Sequence, residues 1–397
     1  MARTMQTIQE EIDAIVPYSM HVSSRYLDRT KQKLEITRLP KENAVLTSSE
    51  QWALGTPKSA LEPLLDHWLE AYDWRKQEEQ FNTRLPQFRT LITLPPGSEG
   101  QERKPIRTHF VHARSSRVNA VPLLYIHGWP GSFIEIQRII DGLVNPNSTP
   151  TDGTDAKDEL AFHVICPSIP GFGFSDASEE ADFGASGAAG VFGALMQRLG
   201  YDEYVVCSGG WGFEVAKALA LTEPGRVLGL HTWNPVFTAP AMRSQPTAWT
   251  KWQLARFTKA RYPAVSFGYT PSEVTTSELL DQPTAIGRPL GPAMHQLFSL
   301  RPQTLAFSLC DSPAGLLAVL LDLIATQGPA SPLAVRPRSP FLDPGELEIQ
   351  DREYEAAGHE CVRSDHTARA SLNGGAGKTA GERRAWSPTD VLNWTMM

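Results

Sequence analysis

Three glycine-rich turns carry the residues of this sequence that could organise chemistry. In Ser208-Gly209-Gly210-Trp211-Gly212, small residues flank a central position on either side. A chain that turns sharply from a strand into a helix needs such flanks, because the strained backbone leaves no room for side chains. The same turn pushes its central residue into a site as a nucleophile. Here the central residue is Gly210, which has no side chain to attack anything. Centring the pattern on Ser208 puts Val206 where a small residue is needed, and Cys207 reads as a thiol of the buried strand. The second turn is His127-Gly128-Trp129-Pro130-Gly131-Ser132. It presents backbone N–H groups beside a helix, which is the chemistry of an oxyanion hole; a plain strand-to-helix turn fits the same residues. His127, Gly128, Trp129, Pro130 and Trp211 form the candidate oxyanion and pocket set, with His127 read as a turn residue rather than a base. The third turn, Pro170-Gly171-Phe172-Gly173-Phe174-Ser175-Asp176, lacks the G-K-[ST] of a phosphate cradle.

The elements that must position these turns are short apolar runs at 108–111, 122–126, 162–166, 204–207 and 227–233. Helix candidates at 132–143, 187–199 and 213–221 lie among them. Strands buried on both faces read as continuous apolar runs, so the expected fold is α/β, a mostly parallel sheet with helices on both faces. Its ligand-binding turns lie beyond the carboxyl ends of the strands. Segment 1–106 reads as a mostly helical N-terminal extension, with an amphipathic helix at 61–74. Residues 107–234 read as the core, 235–300 as an inserted helical lid rich in Pro, Thr, Ser and Trp, and 301–397 as a returning core segment with a loop-like stretch. An apolar helix at 316–324 opens that return.

Composition narrows the function classes. A net charge of −7 gives no electrostatic reason to expect nucleic acid or anionic lipid as a partner. Cys166, Cys207, Cys310 and Cys361 are widely spaced, which argues against a zinc knuckle or disulfide framework and suits a reducing compartment. No run approaches the roughly 18 apolar residues of a membrane span, and the N-terminus shows no signal-peptide core. The expectation is a soluble cytoplasmic protein without a transmembrane anchor, binding a small molecule and needing no metal or organic cofactor. Oligomeric state is not readable from the residues.

The turns and the segments around them resemble the microsomal-type epoxide hydrolases. In the N-terminal extension the likeness runs through Trp52, Gly55, Trp68, Asp73-Trp74-Arg75, Glu78, Asn82, Pro86-Gln87-Phe88 and His109-Phe110-Val111-His112. It continues at 127–132 and 170–176, and returns at Arg301-Pro302-Gln303-Thr304 and Asp311-Ser312-Pro313-Ala314-Gly315-Leu316. The resemblance implies an α/β-hydrolase fold and hydrolysis of an epoxide to a vicinal diol. It also implies an aspartate that attacks the epoxide carbon, lid tyrosines that bind the epoxide oxygen, and a histidine that activates water against the ester.

Against that pattern the elbow has Gly210 in place of the aspartate, and Met294 stands at a lid tyrosine position. Tyr269 is a candidate for the other oxyanion-binding tyrosine. The segment from Trp386 to Met397 resembles one that, in relatives, precedes the strand carrying the histidine. His359 and His366 are read as loop residues, and His231 as a core histidine of its strand. Asp176 and Asp311 are read as turn and cap residues. Three readings follow: a non-hydrolytic tailoring enzyme acting on a lipophilic molecule of secondary metabolism or detoxification, a ligand-binding pseudoenzyme, or a defective copy of an active gene. For the last, the glycine-rich stretch near 358–381 resembles translated intron, and transcript sequencing decides it.

Overall fold

A computed structural model of the protein describes residues 14–42, 52, 54–96, 103–146, 160–180, 182–232, 240–271, 274, 297–327 and 387–397. Met294, His359 and His366 lie outside the described residues. The chain divides into two compact units, one of residues 1–23, 73–238 and 397, the other of residues 24–72 and 239–396.

The first unit is built on a seven-stranded sheet of order β1-β2-β3-β5-β4-β6-β7. Its strands are β1 (Val16–Tyr18), β2 (Gln87–Ile92), β3 (Ile106–Ala113), β4 (Val121–Ile126), β5 (Phe162–Pro167), β6 (Tyr204–Ser208) and β7 (Val227–Thr232). All five expected runs form strands. The expectation of a mostly parallel sheet needs correction, because only β5, β4, β6 and β7 run parallel. The three pairings among β1, β2, β3 and β5 are antiparallel. Strands β1 and β2 come from the segment read as mostly helical. In β2 the sequence Gln-Phe-Arg-Thr-Leu-Ile interleaves polar and apolar residues too irregularly to announce a strand. Pairing along its whole length with Ile106–Val111 of β3 is what holds it extended.

Alternation along the strands feeds two cores. Leu124 and Ile126 of β4 join Phe110, Ile165 and Val206 in one cluster with Val191, Phe192 and Leu195 of the helix Gly184–Arg198 and Val215, Ala216 and Leu219 of the helix Trp211–Thr222. Phe192 and Leu195 are wholly buried, and burying each contributes on the order of 2 kcal/mol. On the opposite face the Tyr125 hydroxyl donates to Glu135 Oε2 at 3.3 Å. Glu135 belongs not to a long helix over 132–143 but to a 3-10 turn, Phe133–Arg138, followed by the short helix Ile140–Val144. Ser132 caps that turn, its Oγ accepting from the Ile134 N–H, and the Ser132 N–H donates back to the Glu135 carboxylate, the reciprocal pattern of a capping box.

The second unit contains the helices Ser24–Glu35, Lys58–Glu70, Pro302–Asp311, Pro313–Gln327 and Pro388–Met396. Leu34, Leu61, Leu64, Leu65, Trp68, Leu317, Leu321, Val391 and Leu392 share its core. The helix expected over 61–74 ends at Glu70; Asp73 caps a new helix, Trp74–Arg84, by accepting from the Lys76 N–H. Among the described residues no single helix is long and apolar enough to cross a membrane.

Candidate functional site

Gly210 sits between β6 and the helix Trp211–Thr222 with φ 55° and ψ −126°, a conformation that costs an ordinary L residue strain. Its oxygen accepts the Phe213 N–H at 3.1 Å, so the helix begins directly after it. A Cβ built on Gly210 meets nothing within 4 Å. Its neighbours are different. A Cβ on Gly212 would lie 2.4 Å from the His127 carbonyl oxygen and 2.7 Å from that of Ile126. One on Gly128 would lie 2.9 Å from the Gly209 oxygen. Thus the turn after β4 and the turn after β6 meet backbone to backbone, while the position between them opens into space.

This contrast is testable by stability alone. Gly212→Ala is expected to lose about 3 kcal/mol or more, since backbone has to move to admit a methyl group. Gly210→Ala should cost only about 1 to 2 kcal/mol, for positive φ without a clash. Urea midpoints of the two variants check the difference.

His127 is fully buried. The Ile169 N–H donates to its Nε2 at 3.1 Å, which leaves the proton on Nδ1, and Nδ1 donates to the Gly128 oxygen at 2.9 Å. Burial pushes its pKa down to about 4, with the Gly128 bond opposing. Both ring nitrogens are therefore engaged in holding the turn, and the ring is neutral. Phe172 packs edge-on to His127 with centroids 5.4 Å apart and stacks on Trp211 at 6.3 Å and 22°. Ile169 and Phe172 went unnoticed as support in the sequence; the aromatic between two glycines of the 170–176 turn was the available signal. Trp129 and Pro130 of the 127–132 turn are half-buried.

The structure brings together His127, Gly128, Trp129, Pro130, Gly210 and Trp211 in the first unit. Tyr269 belongs to the second, where it is half-buried and its ring meets Trp252 edge-on at 4.8 Å. His231 corrects the reading of a core histidine. It is exposed, because β7 is the outer strand of the described sheet, and its Nδ1 lies 3.3 Å from Cys207 Sγ, itself half-buried. Asp311 pairs with Lys33 at 2.5 Å on the surface, and the helix cap beside it is Ser312, whose Oγ accepts from the Gly315 N–H. No group of three or more metal-ligating side chains occurs among the described residues.

Comparison with known proteins places this geometry. The family model described as "Epoxide hydrolase N terminus" matches residues 15–136, and that of the alpha/beta hydrolase fold matches residues 121–306. Epoxide hydrolase 1 of Sus scrofa is 32% identical over 322 residues, which are 80% of this chain and 63% of that protein. The crystal structure of juvenile hormone epoxide hydrolase from the silkworm Bombyx mori superposes with a TM-score of 0.62 at 27% identity, covering 81% of this chain and 68% of that one. The Aspergillus niger epoxide hydrolase gives 0.52 at 26% identity, covering 78% and 69%. The chain spans about three-fifths of the length of the first curated relatives it matches. A sheet whose strand–turn–helix junction carries Gly210, an N-terminal segment of this kind and these likenesses agree: the chain belongs to the microsomal-type epoxide hydrolase family, on an α/β-hydrolase fold.

Proposed function

We propose that this chain holds a lipophilic epoxide, or a compound derived from one, at the turn around Gly210 and does not hydrolyse it through an enzyme-bound ester. The relatives named above carry epoxide hydrolase in their descriptions. The observation that carries the reading is Gly210 itself. It occupies the strand-to-helix junction where the family resemblance puts an attacking carboxylate, with open space at its Cβ position and no side chain to act. An α/β site of this kind without its nucleophile still offers a shaped pocket and oriented dipoles, which suffice for binding or for guiding a ring opening by another group. Secondary metabolism and detoxification both supply lipophilic molecules of this class.

Incubation with styrene oxide followed by rapid quench and intact mass spectrometry tests the reading. The expected outcome is unmodified protein, no more diol than in buffer, and saturable binding by calorimetry. Diol formation at enzymatic rates, or an ester adduct, overturns it.

A further inference from the structure

The loop that supports His127 and Trp211 is itself held by an ordered chain of hydrogen bonds that starts in the N-terminal segment. The Met20 N–H donates to Asn82 Oδ1 at 2.8 Å, and the Met20 oxygen accepts from Asn82 Nδ2 at 2.9 Å. A backbone N–H only donates and a carbonyl only accepts, so the Asn82 amide has a single orientation. Gln87 Nε2 then donates to Asn82 Oδ1 at 3.0 Å, which turns Gln87 Oε1 toward His109 as an acceptor. His109 Nε2 donates to that oxygen at 3.1 Å. Burial keeps this ring neutral, so Nδ1 carries a lone pair and accepts from Ser168 Oγ at 2.8 Å.

His109 also holds the loop by its backbone. Its oxygen accepts the Ser168 N–H at 2.9 Å, and its N–H donates to Ser175 Oγ at 2.9 Å. Ser175 Oγ in turn donates to the Ser168 oxygen at 2.8 Å, so both ends of 168–175 are tied to one residue. The ring packs edge-on against Tyr18, Phe133 and Phe174, with centroids 5.4, 4.6 and 5.5 Å away. Phe133 follows directly on the 127–132 turn.

We infer that His109 is a positioning residue of the candidate site: the Met20–Asn82–Gln87 chain sets its tautomer, His109 fixes the 168–175 loop, and the loop fixes His127 and Trp211. The inference rests on reading those turns as the site. The N-terminal segment thereby acts on the site mechanically, through Met20, Asn82 and Gln87.

The experiment uses the whole chain with His109→Phe, which keeps an aromatic ring at that position and removes both side-chain hydrogen bonds. Three readouts are taken: the long-range nitrogen–proton spectrum of His127 in histidine-labelled protein, amide exchange at Ile169, and styrene oxide affinity. His127 is expected to lose its single Nδ1–H signature, and exchange at Ile169 to rise by roughly a hundredfold as the loop opens locally. Affinity is expected to fall about tenfold, the scale of a site whose competent form has become a minor population. If His109→Phe does not fold, Ser175→Ala leaves the His109 ring in place, removes the two hydrogen bonds of Ser175 Oγ, and should raise Ile169 exchange by about tenfold. Unchanged His127 and Ile169 signals overturn the inference. If those signals move but the unmodified protein binds no epoxide, the positioning role stands and the reading of the site falls.

Discussion

Gly210→Asp should turn this protein into one that bonds covalently to an epoxide. Styrene oxide is expected to add its full mass to the variant, mapping to position 210, while the unmodified chain stays clean under the same conditions. The geometry makes this a conservative change. The turn already holds φ 55°, and the Cβ enters empty space. Strain costs about 1 to 2 kcal/mol. The carboxylate stands at the first turn of the helix Trp211–Thr222, whose N-terminal dipole favours a negative charge. Removing a covalent nucleophile commonly lowers rates by about four to six orders of magnitude, so the gain from restoring one is read as presence against absence. A long-lived ester is the further expectation, because His127, next to the turn, has both ring nitrogens committed to backbone groups. No adduct in a folded variant sinks the assignment of 210 as the nucleophile position. Rapid turnover to diol points instead to a water-activating histidine elsewhere in residues 1–397.

A steep loss of stability in mild acid is the second large effect. Burial pushes His127 down to about 4 and His109 to about 3, while burial and Arg114 hold His112 at about 4. In each case the unfolded chain takes up a proton near the ordinary histidine value while the folded chain refuses it. Stability from these groups is therefore whole above about pH 6.5 and falls as pH drops toward their folded values. For His127 alone the loss is about 3 kcal/mol by pH 4, and His109 adds a similar amount. Glu135 opposes the trend, because burial raises it to about 7 and the fold prefers it protonated. Its own contribution is greatest below the ordinary carboxylate pKa and declines as pH rises to about 7. The histidines outnumber it, so the net slope between pH 4.5 and 6.5 is upward. Thermal melts across pH 4 to 8 should show the unfolding temperature dropping below pH 6.5, with His127→Phe flattening part of the slope. A melting temperature that is constant or rises toward pH 4.5 contradicts the neutral, buried assignment of both rings.

Much of the scaffold was legible because its signals are local. Strands β3 to β7 are apolar runs, and in β4 and β5 the run ends in four consecutive buried residues, the mark of a strand covered on both faces. The elbow at 208–212 and the turn at 127–132 announce themselves through glycine, since close backbone approach and positive φ admit little else. Strand β2 was not legible, because its extended form is imposed by β3 and not by its own pattern. The exposure of His231 depends on which strand lies at the edge of the sheet, and no residue near it encodes that.

The residues by themselves determined that position 210 has no nucleophile, that glycines crowd the two turns beside it, and that the family is that of the epoxide hydrolases. Covalent chemistry and local conformational preference decide those points, and both are properties of single residues and short motifs. Only the tertiary structure decided that space is open at 210 and closed at 128 and 212. It alone decided that His127 is a neutral brace, and that the site is tied through Ser168 and His109 to Met20. Those outcomes turn on which distant atoms meet across strands and on how much water their meeting excludes, and residue order alone does not specify either.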